Sequence, residues 1–390
     1  MHTNWERTFL GNCSDIILGG TPKTKEPSYW DGNIPWASII DFNVYKKIFV
    51  TEKTITQAGL DNSNTKLLRK GDIIISARGT VGKTVVCGKP MAFNQSCYAL
   101  RSKSTRLHQD FLYYLINHHV FQLRKKATGG VFDTIVTDTL RNLEIQLPSA
   151  TTQRKIASIL SAYDDLIENN TRRIKILEEM AQRLYREWFV YFRFPGHEKV
   201  KMVESELGPI PEGWEVKKIG DVIELAYGKA LKAEVRHGGN IPVYGSGGVV
   251  GYHNESLVNG PGIIVGRKGN VGSIFWCDYN FYPIDTVFFV KTDIALHYVY
   301  FNLQYQNFSN TDAAVPGLKR SLAYLNIFLL PEKSLLCEFQ KTIEVVFKQL
   351  KSLRKKNSNL RKTRDLLLPK LISGKLDVED IDIETGALDA

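Results

Sequence analysis

Residues 153–192 read QRKIASILSAYDDLIENNTRRIKILEEMAQRLYREWFVYF. Through Ile156, Leu160, Tyr163, Ile167, Asn170, Ile174, Leu177, Ala181, Leu184 and Trp188, steps of four and three alternate without a break. This is the period of a coiled-coil seam, and it predicts a long helix that packs along one face against another helix. The same chain offers the partner: Phe339, Ile343, Val346, Leu350, Leu353, Asn357, Leu360, Arg364 and Leu367 repeat the spacing. A lone amphipathic helix laid on a globular core is the alternative, and the regularity of the seam argues against it.

Each seam carries one asparagine near its middle, Asn170 and Asn357, at the same distance beyond a glutamine at the helix start, Gln153 and Gln340. A polar group in a seam is costly unless paired, and it can fix register. The two amides are therefore expected to meet. Helices of this length are roughly 50–55 Å long at ~1.5 Å per residue. Connectivity favours antiparallel packing, because a parallel pair would require the segment between them to span that whole length. The expectation is a dumbbell, with two globular parts held apart by a stiff rod.

Working outward, the flanks of the helices repeat as well. Trp5-Glu6 before Leu10-Gly11 returns as Trp214-Glu215 before Ile219-Gly220. Gly71-Asp72-Ile73-Ile74-Ile75, then Arg78-Gly79-Thr80-Val81-Gly82, returns as Gly262-Ile263-Ile264-Val265, then Lys268-Gly269-Asn270-Val271-Gly272. Each copy is an apolar strand that ends in a glycine-punctuated turn. Residues 139–145 before Pro148 match 321–327 before Pro331. The shared order predicts an α+β chain with an internal pseudo-two-fold repeat. Two β-rich domains with helices are separated by an antiparallel coiled coil of two long helices.

The expected boundaries are a first domain at 1–150, a central helix at 151–195 ended by Pro195-Gly196, and a linker at 196–213. A second domain follows at 214–332, then a C-terminal helix at 333–376 and an acidic tail at 377–390. Pro369 is expected to break the second helix at about Leu368, since its ring clashes with the preceding turn and it lacks an N–H.

The net charge of +10 favours partners with phosphates. Residues 348–364 (KQLKSLRKKNSNLRKTR) contain no acid. Either this is a solvated helix face, or part of the helix lies near phosphates or an acidic partner. The five cysteines form no CxxC pair, which fits thiols in a reducing cytosol. No apolar stretch reaches the ~18 residues of a membrane span, and the first ten residues do not read as a signal peptide.

Catalytic signatures are missing. Residues 77–84 nearly spell a P-loop, but Ala77 stands where the first glycine is required. Gly266, Gly269 and Gly272 miss the dinucleotide fingerprint. His118-His119 lacks metal-ligand spacing to any cysteine or acid cluster. A glycine turn that lets the backbone approach another surface explains both copies better.

With repeats and helices in place, the chain resembles the specificity (S) subunit of type I restriction-modification systems over nearly its whole length. The most specific part is 153–192, similar to that family's central conserved region. LRKTRDLLLPKLISGKLDV (360–378) and GPIPEGWEVKKIGDV (208–222) add to it. The second helix has drifted: counting from the asparagines, Ile174 and Leu177 correspond to Arg361 and Arg364. The resemblance implies that each domain reads one half of a split double-stranded DNA site, with the rod setting the gap. It implies two methyltransferase (M) subunits and, in the full complex, restriction (R) subunits as partners. S-adenosylmethionine, ATP and Mg would sit on those partners, with no cofactor and no catalysis in this chain and no membrane. The rival reading is a coiled-coil adaptor that clamps two protein partners without DNA.

Base edges in the major groove are read by Arg, Lys, Asn or Gln on loops or strand ends, with cations gripping phosphates. In the first domain the candidates are Arg78 and Lys83 in the glycine turn, Asn94 and Gln95 at the next strand start, and Lys125 and Lys126. In the second they are Arg267, Lys268, Lys319 and Arg320. For each, an ordinary exposed cation is the alternative. Trp30, Trp36 and Tyr244 suit core packing better than base stacking. Glu178, Met180, Gln182, Trp188 and Phe189 are candidates for docking a methyltransferase, with packing against the domains as the competing role.

Overall fold

The structure is a computed structural model that describes residues 5–42, 45–103, 106–126, 134–236, 238–308 and 317–383, with side chains beyond Val120 in the third of these left out. It divides into two compact units. Unit 1 comprises 1–172 and 355–390, and unit 2 comprises 173–354. Each long helix therefore contributes part of its length to each unit.

In unit 1, Ile73–Ser76 forms the centre of a five-stranded sheet, because Ile73, Ile74 and Ile75 are fully buried on both faces. The strand order is Ser14–Leu18, Cys97–Ser102, Ile73–Ser76, Thr84–Cys87 and Lys47–Ile48. A second sheet joins Lys53–Ile55, Trp30–Ala37 and Ala92–Phe93, and Glu6–Phe9 pairs antiparallel with Glu144–Leu147. Unit 2 repeats this plan. Gly262–Gly266 lies between Val287–Lys291 and Ile274–Cys277, with Glu224–Tyr227 at the edge. Gly248–His253, Ile241–Gly245 and Tyr282–Pro283 form its second sheet, and Glu215–Lys218 pairs with Ile327–Leu330.

The long helices run Ala150–Tyr185 and Lys333–Ile372. Ser149 starts the first, its hydroxyl accepting the Thr152 N–H at 3.2 Å. Every residue of both seams is buried or half-buried. In unit 1, Asn170 faces Asn357 and Asp164 faces Arg364, so the helices are antiparallel there. In unit 2, Glu178 meets Arg354 and Tyr185 meets Phe339, with the same sense.

Four boundaries differ from the sequence reading. Pro369 does not break the second helix, which continues to Ile372. The proline sits in the last turn, where it removes only one intrahelical bond. Full burial of Leu371 and near-full burial of Ile372 in the unit 1 core offset its cost. Gly374, with φ +68°, follows two residues beyond the helix end and turns the chain away. At the other end, the first helix passes into a π turn, Arg186–Val190, and stops before Pro195. The wider turn brings Trp188 and Phe189 together into the unit 2 core. Finally, the supposed linker 196–213 holds a hairpin, Met202–Ser205 with Gly208–Pro211, whose Ile210 packs into that core. The acidic tail likewise begins as structure: Val378 is buried, and the Glu379 carbonyl accepts from Lys155 Nζ at 2.6 Å.

Candidate nucleic-acid interface

The glycine turns that end the central strands share one frame of backbone hydrogen bonds. In unit 1, Gly82 N–H donates to Ser76 O, Val81 N–H to Gly79 O, and Ala77 N–H to Ser96 O. In unit 2, Gly272 donates to Gly266 O, Val271 to Gly269 O, and Arg267 to Thr286 O. Gly79 and Gly82 have φ of +73° and +77°; Gly269 and Gly272 have +80° and +74°. Only glycine enters that region without strain, which is why the turn keeps two of them. A second segment closes each tip: Ile135 N–H reaches Ala77 O, and Leu318 N–H reaches Arg267 O. Both turns lead into a strand and not a helix, so neither is a P-loop.

On this frame Arg78 and Lys268 hold equivalent places, and both side chains are exposed. Lys83, Gln95 and Lys319 are exposed too. Asn94 and Gln95 do not start a strand; they lie in the turn before Cys97–Ser102, where Asn94 Oδ1 accepts the Ser96 N–H at 2.6 Å. That bond occupies the amide oxygen and fixes the turn. Arg267 and Arg320 are half-buried and tethered. Arg267 Nη1 donates to Asp285 O at 2.9 Å, and both guanidinium groups lie against the Tyr227 ring, at 5.0 and 4.8 Å from its centroid. Lys125 and Lys126 end the helix Gln109–Lys126, and their side chains lie outside the described residues. Trp36 is core: its indole N–H donates to Gly20 O, and its ring meets Trp30 edge-on. Tyr244 packs on Phe275 and Phe281.

Trp188 and Phe189 are corrected by the same geometry. They are 8% and 5% exposed and pack on Phe339, so they are core and not a docking face. Glu178 pairs with Arg354 at 2.8 Å, while Met180 stays exposed, as does Ile176 one turn before it. Ile176 was missed because it lies off the seam, where an apolar residue breaks no pattern.

Beneath the unit 1 tip lies a polar cluster that the sequence did not suggest. Asp164, 8% exposed, accepts from Tyr114 OH and from Arg364 Nη1, each at 2.6 Å. Lys46 donates to Tyr114 OH and Ser161 Oγ at 3.2 and 3.1 Å. Burial pulls the Lys46 ammonium down from its ordinary value, against the opposing pull of Asp110 and Asp164. The cluster adjoins a cleft of about 290 Å³ that reaches Gly82 in the tip and Pro369 in the second helix. It joins Lys46 and the helix Gln109–Lys126 to the two long helices.

His118 and His119 stack edge-on with each other, and among the described residues no group of His, Cys, Asp or Glu could hold a metal. Burial, aided by His118, holds His119 down at about 4 from an ordinary 6.5. The unfolded chain therefore takes up this proton first as pH falls. The resulting stability is complete above about 6.5 and is lost as pH falls toward 4. His119→Gln is expected to flatten the loss of stability between pH 6.5 and 4.5, by up to about 1.4 kcal/mol per pH unit. Urea midpoints across that range test this; parallel curves for the two proteins would refute it.

Comparison with known proteins agrees with this arrangement. The family model for the type I restriction modification DNA specificity domain matches residues 2–179 and 211–321, one match per repeat. The MjaIX specificity subunit of Methanocaldococcus jannaschii is 28% identical, over 97% of this chain and 95% of that protein. The HindI specificity subunit of Haemophilus influenzae is 21% identical over 80% and 88%. The crystal structure of a type I system S subunit from M. genitalium shares the fold, with a TM-score of 0.61 and 20% identity over 95% of this chain and 96% of that one. With a tip whose backbone frame repeats and a family match over both repeats, the chain belongs to the type I restriction-modification specificity (S) subunits, the non-catalytic DNA-recognition members of those systems.

Proposed function

We propose that the chain reads a bipartite double-stranded DNA site, one half per unit, with the paired long helices as the spacer. The observation that carries this is the duplicated tip, with one hydrogen-bonded frame and different side chains on it. Arg78 and Lys83 stand where unit 2 has Lys268 and Ser273, and Ala77 stands where unit 2 has Arg267. A frame kept while its contact residues change suits two readers of two different half-sites. A protein clamp would have no need of exposed cations on both turns.

Two methyltransferase (M) subunits would dock on helix faces away from the seam, with Met180 and Ile176 as exposed apolar anchors beside Glu178 and Gln182. Restriction (R) subunits would join through them. S-adenosylmethionine, ATP and Mg would be held by those partners. Methylome sequencing of a host with and without the chain should reveal one split motif that disappears with it. Adding one heptad to each long helix, about 10 Å, should widen its gap by roughly three base pairs. An unchanged gap would mean that the helices are not the ruler, and loss of no motif would sink DNA reading itself.

A further inference from the structure

The two tips differ most sharply at three matched positions. Tyr227 ends the edge strand of unit 2, where it pairs with Phe288. Leu18 holds that place in unit 1, paired with Tyr98. Both partners lie two residues beyond the carbonyl that anchors the tip, Thr286 in one unit and Ser96 in the other. Arg267 matches Ala77 by the same bonds. Arg320 and Thr137 each lie two residues beyond the segment that closes the tip, and each begins a short helix, Arg320–Ala323 and Thr137–Arg141. Unit 2 thus has Tyr227, Arg267 and Arg320 where unit 1 has Leu18, Ala77 and Thr137.

The physical consequence is preorganisation. A free arginine samples many rotamers and loses them on binding. Here the Tyr227 ring, about half exposed, lies beside both guanidinium groups. The Arg267 group also rests near Phe288, at 5.8 Å, and Arg320 near Tyr324, at 5.9 Å. The carbonyl of Asp285 takes one Arg267 N–H. Among the described residues that is the one hydrogen bond its side chain donates, out of the five donors of the fork. Gly228 locks Tyr227 in place: a Cβ there would come within 2.1 Å of Ile284 O, so the strand must end close against the neighbouring backbone. The neighbours Lys229, Lys268 and Lys319 are exposed and supply positive charge.

We infer that Tyr227 is a positioning residue that holds Arg267 and Arg320 ready to grip guanine in the half-site read by unit 2. Two-pronged donation to guanine O6 and N7 is the chemistry a fixed guanidinium fork matches best. Unit 1, with Leu18, Thr137 and Ala77, lacks this element and reads its half by other groups. The inference rests on the proposed reading of DNA by the two units.

The test uses the assembled complex with its methyltransferase subunits, and duplexes carrying the wild-type motif with single base changes. Tyr227→Leu, which installs the unit 1 residue, should cut the preference for guanine at one position of one half-site by roughly tenfold to a hundredfold. The other half-site should be read as before, and Tyr227→Phe, which keeps the ring, should retain the preference. Arg267→Lys with Arg320→Lys keeps the charge but removes the forks, and should lose the same guanine even if Tyr227→Leu fails to fold. Full discrimination in Tyr227→Leu, or in the double lysine variant, overturns the inference alone. Absence of any split motif with the wild-type complex overturns the DNA reading on which it rests.

Discussion

Replacing Asp164 by alanine should destabilise unit 1 by about 3 kcal/mol, because it takes the nearest carboxylate from Arg364 and weakens the compensation of the buried Lys46. Arg364 donates to Asp164 from a side chain 28% exposed, and Lys46, at 7%, relies on the same cluster through Tyr114. Breaking a buried pair typically costs 3–5 kcal/mol. The low end applies because Arg364 keeps Asp365 at 2.8 Å and Lys46 keeps Asp110 at 3.8 Å. For a unit of this size the melting temperature should fall by roughly 6–12 °C. Asp365→Ala, at an exposed pair, should cost under about 1 kcal/mol. Adding Lys46→Met to Asp164→Ala should recover part of the loss, since one stranded charge is then gone. A loss within 0.5 kcal/mol of zero for Asp164→Ala would show that the cluster is not a structural tie.

The same cluster shows why the two long helices were legible as relatives but not as equals. Counting from the asparagines, Asp164 corresponds to Lys351 and Arg364 to Leu177. The drift from Leu177 to Arg364 reads as noise in the sequence. In the fold it is one half of a compensated exchange, since the arginine has an aspartate to meet. Among the described residues, unit 2 has no such tie at that place. There Lys351 and Arg354 turn to Asp278, and Trp276, Phe301 and Phe347 line the adjoining cleft. A heptad pattern fixes which face is buried but says nothing about the chemistry of the tertiary partner.

Other features divide in the same way. The glycine turns were legible because positive φ demands glycine at fixed offsets, and the offsets recur. The tethering of Arg267 and Arg320 was not, because it depends on Tyr227, far away in sequence and joined only by strand pairing. Pro369 misled for a related reason. Its local cost is genuine, but a terminal turn with Leu371 and Ile372 buried beyond it gains more than the proline takes away. Trp188 and Phe189 looked like docking anchors because aromatic residues at a helix end serve either role, and only the π turn settles which.

The asparagine pair gives the second large effect, and its size depends on which partner is removed. Asn170 Nδ2 donates to Asn357 Oδ1 at 2.9 Å, and Asn357 Nδ2 donates to Ile167 O and Thr171 Oγ1 at 3.2 and 3.1 Å. Asn357→Leu therefore removes all three bonds and leaves the buried Asn170 donor facing a methyl group. We expect a loss of about 2–3 kcal/mol. Asn170→Leu removes one bond and leaves the Asn357 donors paired, so about 1–1.5 kcal/mol is expected. The double leucine variant should return to wild-type stability or exceed it, because no amide is then left unpaired at that layer of the seam. What it should lose is uniqueness of register, as an apolar layer in place of the amide pair no longer opposes a slip by one heptad. Chemical denaturation checks the order of the three stabilities. If the helices set the spacing of the DNA site, the double variant should methylate motifs with more than one gap length. Equal losses for the two single variants, or a single unchanged gap for the double, would show that the pair adds stability without fixing register.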